Sequence, residues 1–128
     1  MEKAKLISEI KNYLVGEKNE AIQAQDAEKA DELERLILMY RFLPVRTYTH
    51  EDVIIPSALV ELKFRESSAY YFVAPQGGGL VTRVEGRAVQ VITPQSPLGE
   101  ALLGKKVGDV IQVKLRSGSR EYTVVSIC

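Results

Sequence analysis

The 128 residues include no tryptophan, one cysteine, one histidine and five prolines, none of the prolines before Pro44. A single thiol, Cys128 at the last position, cannot form an internal disulfide, so a reducing cytoplasm is the expected setting. The only histidine, His50, has no cysteine partner near it in sequence, which argues against a zinc-type site and makes it a surface residue of a connector. No apolar run approaches the ~20 residues of a membrane span. The charged start, Met1 to Lys5, is not followed by a signal-peptide core. Net charge is zero, with 17 basic and 17 acidic residues, so the chain is not a uniformly basic nucleic-acid binder. Gly77, Gly78 and Gly79 lack the Lys-Ser/Thr of a phosphate-binding loop and read as a flexible hairpin loop. Ser96 has no evident base or oxyanion partner, so it reads as a helix cap rather than a nucleophile. No catalytic residue and no metal site of its own are expected.

What is present falls into two textures. Residues 1–56 carry 8 Lys+Arg against 11 Asp+Glu, a net charge of −3, and residues 57–128 carry 9 against 6, a net charge of +3. Within the first part, Glu17 to Glu34 holds seven acids and two bases. That polarity suits a partner with a charge pattern of its own. From about Glu2 to Arg41 the residues are good helix formers. Leu6, Ile10 and Leu14 repeat at four-residue spacing, and Ala30, Leu33, Ile37 and Tyr40 at alternating three and four, each set giving one apolar stripe. Two such stripes can bury each other as an antiparallel hairpin. Its turn has two candidate positions. Gly16 with Asn19 as cap gives a short hairpin. A turn between Gln23 and Asp26, with Asp26 as cap, gives arms of similar length, roughly 20 residues and about 30 Å each, and is the expected position. Pro44 ends the helical region.

After a connector the period changes. Ala58 to Phe64, Tyr70 to Val73, Leu80 to Val84, Ala88 to Thr93, Val110 to Leu115 and Tyr122 to Ile127 read as strands. Glu85-Gly86 and Ser117-Gly118 read as turns. Alternation makes at least one of Tyr70, Tyr71 and Phe72 a core residue. One short helix interrupts the strands: Ser96 caps it, Pro97 opens it, Leu98, Ala101 and Leu102 share a face, and Gly104 stops it. The expected organisation is a helical hairpin over 1–43, a connector over 44–56 and a β-rich domain over 57–128. Together they make an α+β chain.

The run from Thr93 to Val110 contains Ser96-Pro97, then Ala101-Leu102-Leu103-Gly104, then Gly108-Asp109 opening a strand. That order and spacing resembles the C-terminal signature of the Gre transcription elongation factors (the GreA/GreB type), with Ser57 to Leu62 similar to the family's first strand. The resemblance spans roughly Pro56 to Cys128. It implies an FKBP-like antiparallel sheet with one short helix, docked at the rim of the RNA polymerase secondary channel. It also implies a helical hairpin that enters the channel, its acidic tip helping to hold a second Mg²⁺ for cleavage of backtracked RNA. Asp26, Glu28 and Asp31 are the tip residues this implies, and Lys105 and Lys106 the candidate contacts to the polymerase rim.

The tip departs from the family pattern. An Asp is usually followed three residues later by a Glu, whereas Asp26 is followed at that spacing by Lys29, and the hairpin is short. The resemblance is therefore nearest to short-hairpin, Rnk-type members that bind polymerase without cleaving. The implied function is a monomeric, non-enzymatic regulator bound to RNA polymerase. It would meet nucleic acid only through the transcription complex, have no membrane contact, and share Mg²⁺ only with the polymerase. The two alternatives are a true Mg²⁺-dependent cleavage factor and an FKBP-like prolyl isomerase. The absence of tryptophan and of an aromatic pocket pattern argues against the isomerase.

Overall fold

A computed structural model describes residues 2–49 and 51–128; His50, read above as a connector residue, lies outside them. The chain divides into two compact units, Met1–Val45 and Arg46–Cys128.

The first unit is an antiparallel pair, α1 (Lys3–Gln23) and α2 (Ala27–Phe42). The turn falls between Gln23 and Asp26, because two local features stop and restart the helix there. Gln25 adopts a left-handed conformation at φ 59°, and Asp26 accepts the Lys29 backbone N–H with its side chain at 3.1 Å. Gly16 is carried through the middle of α1. The stripe residues Leu6, Ile10, Leu14, Ala30, Ile37 and Tyr40 are buried, and Leu33 is half-buried. The arms differ in length, 21 residues against 16, so α2 runs only about 24 Å.

Burial raises the Tyr40 hydroxyl to about 12 from its ordinary 10.0. A raised folded-state value favours the protonated form, so its contribution to stability is intact below pH 10 and is lost as pH climbs towards 12. Alkaline titration followed by far-ultraviolet circular dichroism should show helix loss in that window. Tyr40→Phe should blunt the loss; an unchanged alkaline transition in that variant would rule Tyr40 out as its source.

The second unit is a six-stranded sheet: β1 (Leu59–Phe64), β2 (Ser67–Val73), β3 (Val81–Val84), β4 (Arg87–Ile92), β5 (Val110–Leu115) and β6 (Gly118–Ile127). A short helix, α3 (Pro97–Leu102), lies between β4 and β5. The strand order is β3-β4-β2-β1-β6-β5. All neighbours are antiparallel except β2 and β4, which run parallel with Tyr70 opposite Val89 and Val73 opposite Ile92. The α+β class therefore holds, with one parallel pair inside a mostly antiparallel sheet.

That pair corrects one expectation. Gly77 to Gly79 is not a hairpin loop, because β2 and β3 are not neighbours. The segment passes over the end of β4, where the Gly79 N–H donates to the Val91 carbonyl at 2.9 Å. Two strands also start earlier than their apolar alternation suggests, β2 at Ser67 and β6 at Gly118. Pairing with Phe64 and Leu115 extends each through exposed polar residues.

One face of the sheet closes over a core of Val60, Leu62, Val73, Ile111, Val113 and Val124, to which α3 contributes Leu102. The opposite face buries Phe72, Val89 and Val91 completely, so of the three adjacent aromatics Phe72 is the one fully inside. The connector joins this unit through Ile54. Its N–H donates to the Lys105 carbonyl at 2.8 Å, and its own carbonyl accepts the Gly104 N–H at 2.9 Å.

Candidate functional site

Helix α3 is too short to be stable alone and is set by its caps. The Ser96 hydroxyl accepts the Gly99 N–H at 3.0 Å and donates to the Thr93 carbonyl at 2.7 Å. Pro97 occupies the first turn, and Gly104 leaves the helix at φ 80°. Gly99 packs against the same carbonyl so tightly that a Cβ there would stand 1.9 Å from the Thr93 oxygen. These residues fix α3 against the sheet and open a cleft of about 290 Å³ beside it. Pro97 and Leu98 form one wall, Ile92, Val113 and Leu115 another, and Tyr71, Tyr122 and Arg120 bring polar groups to the same cleft. The Tyr71 hydroxyl is raised from its ordinary value, first by burial and then by Tyr122, with Arg120 pulling the other way. An apolar cleft with a few convergent polar groups and one guanidinium suits a protein segment carrying an apolar side chain and a carboxylate.

Arg120, Tyr122 and Leu115 were not among the residues singled out from the sequence. Their only sequence signal is the period-2 alternation of β5 and β6, which places Arg120 and Tyr122 on one face. Lys105 and Lys106 are exposed in the turn after α3, outside the cleft. The Lys106 backbone N–H is held by Asp109 at 2.8 Å, so this turn is ordered by its backbone.

In the hairpin, Asp26, Glu28 and Asp31 are all exposed. Asp26 and Asp31 line one groove of about 460 Å³ with Lys18, Ile22, Ala30 and Glu34; Glu28 is outside it. Two ammonium groups stand among these acids. Lys18 is bound to Glu34, whose carboxyl it holds below the usual range, and Lys29 lies 4.0 Å from Glu17. Asp26 spends one carboxylate oxygen on its cap. Among the described residues no group of three Asp, Glu, His or Cys side chains is placed to hold a metal ion. Mg²⁺ keeps several waters and takes one or two carboxylates at shared sites, and at this tip the Asp26 and Asp31 carboxylates line the same groove as the Lys18 ammonium.

Residues 49–128 match the family model for "Transcription elongation factor, GreA/GreB, C-term", more than half of the chain and nearly all of the sheet unit. A GreA of Thermotoga sp. (strain RQ2) is 50% identical over 38 residues, 30% of this chain and 24% of that protein. A GreA of Rhodospirillum rubrum is 53% identical over 36 residues, 28% of this chain and 23% of that protein. The matched stretch is thus about a quarter of the length of these curated relatives. The structure of the transcription factor Gfh1 superposes on 98% of this chain and 85% of that one, with a TM-score of 0.51 and 23% identity, a likeness of fold. No helix among the described residues is long and apolar enough to cross a membrane.

Proposed function

The chain belongs to the GreA/GreB transcription elongation factor family through its C-terminal domain, and from that premise we propose that it is a regulator that binds RNA polymerase. In this reading the cleft beside α3 docks on the polymerase, at the rim of the secondary channel, and the hairpin is presented to the channel. The observation that carries it is the convergence of motif and geometry. Ser96, Pro97, Gly99 and Gly104 hold α3 where Leu98 and Pro97 wall the cleft. Its apolar walls and single guanidinium favour a protein partner over a small polar substrate. The chain is then no enzyme, and its effect is exerted through the polymerase.

Co-sedimentation with bacterial core RNA polymerase tests the reading. The full chain is expected to bind at micromolar concentration. Leu98→Asp, which places a charge on the cleft wall at a half-buried residue packed against the edge of the core, should weaken binding at least tenfold, with the thermal transition recorded beside it to verify that the fold is kept. No binding by the unaltered chain, or equal binding by Leu98→Asp, would discard this docking mode.

The same reading excludes strong stimulation of transcript cleavage. Lys18 and Lys29 among the tip acids, and the capping role of Asp26, oppose the recruitment of a second Mg²⁺. In stalled elongation complexes the bound factor should shorten RNA no faster than polymerase alone. Asp26→Ala should cost the hairpin about 1 kcal/mol through the lost cap and leave RNA length unchanged. Factor-dependent shortening that vanishes in Asp26→Ala would restore the cleavage-factor reading.

A further inference from the structure

The three tight turns of the sheet, Arg65-Glu66, Glu85-Gly86 and Arg116-Ser117, all lie at one end of it. This follows from the strand directions, since β1, β3 and β5 end there and β2, β4 and β6 begin there. Seven of the nine cationic residues of 57–128 stand within three residues of those turns: Lys63, Arg65, Arg83, Arg87, Lys114, Arg116 and Arg120. Only Glu66, Glu85 and Glu121 accompany them. This end therefore carries a net charge of +4, and the remainder of the segment −1. The neutral total of the chain hides a strongly basic rim. With neighbouring strands about 4.8 Å apart, the six strands spread it over roughly 25 Å.

The rim contains a built cleft of about 280 Å³ between the first and last turns, lined by Phe64, Arg65, Ser117, Gly118, Ser119 and Arg120. The Arg65 and Arg120 guanidiniums both lie over the Phe64 ring, at 5.2 and 4.9 Å from its centroid. The ring thus anchors both cations at the cleft, which they line together. No carboxylate lines the cleft, and neither arginine, nor Arg116, is in an ion pair among the described residues. Their fork-shaped donors are left for an outside anion. Two serine hydroxyls add donors, and Gly118 at φ 121° lets that anion approach the backbone closely.

We propose that this rim binds the phosphodiester backbone of a nucleic-acid strand, with Arg65 and Arg120 clasping one phosphate and Arg116 the next. Phosphate suits the planar, bidentate fork of arginine. An acidic protein segment is the poorer fit, because the cleft has Phe64 as its only apolar lining residue, already covered by two guanidiniums, and so no pocket for an apolar anchor. Contacts made to the phosphates carry no sequence information, so binding is expected to be independent of base sequence. The rim shares Arg120 with the cleft at α3, whereas Arg65 and Arg116 lie outside that cleft.

Fluorescence anisotropy of the full chain with a labelled oligo-dT strand tests it, with Arg65→Asn and Arg116→Gln combined in the variant. Asparagine tolerates the left-handed backbone of Arg65, at φ 57°, so the fold is kept, and the far-ultraviolet spectrum and thermal transition verify this. The unaltered chain should bind with log K falling against log salt at a slope of about −1.4, from two phosphates at about 0.7 each. The variant should bind at least tenfold more weakly. Equal affinity of the folded variant, or affinity indifferent to salt, would overturn the proposal. So would a polyglutamate peptide displacing the strand at equal charge concentration, which would assign the rim to an acidic protein. Salt-sensitive self-association in sedimentation, lost in the variant, would assign it instead to the acidic hairpin of a second copy.

Discussion

Leu102→Ala is expected to destabilise the sheet unit by about 2–5 kcal/mol, the range for truncating a buried leucine, and to abolish polymerase binding with it. Leu102 is fully buried and belongs to the same cluster as Ile54, Ile92, Ile111 and Val113. It sits in a helix of six residues, which has too few turns to hold itself together. Packing through Leu102 therefore adds to the caps in keeping α3 in place. Removing its side chain leaves a cavity below the helix and frees Pro97 and Leu98 from the cleft they wall. Urea unfolding followed by tyrosine fluorescence, the chain having six tyrosines and no tryptophan, would give the loss from the shift in midpoint at constant slope. Leu102→Met conserves volume and should cost less than about 1.5 kcal/mol. A loss below about 1 kcal/mol in Leu102→Ala, or full polymerase binding by that variant, would mean that α3 is anchored by something else.

The parts of this site that were readable from sequence are those with local causes. Ser96, Pro97 and Gly104 mark the ends of α3 because a cap, a fixed φ and a left-handed stop each act within a few residues. Asp26 marks the start of α2 for the same reason, and the hairpin turn follows from it. The cleft itself was not readable, since Tyr71, Val113 and Arg120 come from three strands and only the strand order brings them together. A period of two tells which face a residue takes and says nothing about which strand lies beside it. That is why the parallel pairing of β2 with β4 was missed, and with it the path of Gly77 to Gly79. The basic rim was hidden in the same way. Its cations are scattered from Lys63 to Arg120 in a chain of zero net charge, and the alignment of three turns at one end of the sheet collects them.

Gly99 carries no turn or stop signal in the sequence, yet the largest effect of any single methyl group on the site is expected there. Gly99→Ala places a Cβ 1.9 Å from the Thr93 carbonyl oxygen and 2.7 Å from its carbon. These are backbone atoms that no rotamer change can move aside. The same oxygen accepts the Ser96 hydroxyl at 2.7 Å and the Ser96 N–H at 3.1 Å, and the Ser96 hydroxyl oxygen itself lies 2.9 Å from the intruding methyl. Either α3 shifts off the sheet or the Thr93–Ser96 turn opens, and both outcomes break the cap that the Ser96 hydroxyl provides to Gly99. The expected cost is about 1–3 kcal/mol of overpacking plus about 1 kcal/mol for the cap, with polymerase affinity falling at least tenfold. Gly16→Ala supplies the contrast. It is the same substitution in the middle of α1, where a Cβ would meet nothing within 4 Å. There the gain in helix propensity should stabilise the chain by about 0.5–1 kcal/mol and leave binding untouched. Opposite signs in the two urea curves, from one methyl group each, would separate close approach from helix propensity as the reason for glycine at position 99. Unchanged stability and binding in Gly99→Ala would show that the Thr93 turn yields freely and that α3 is not held by this contact.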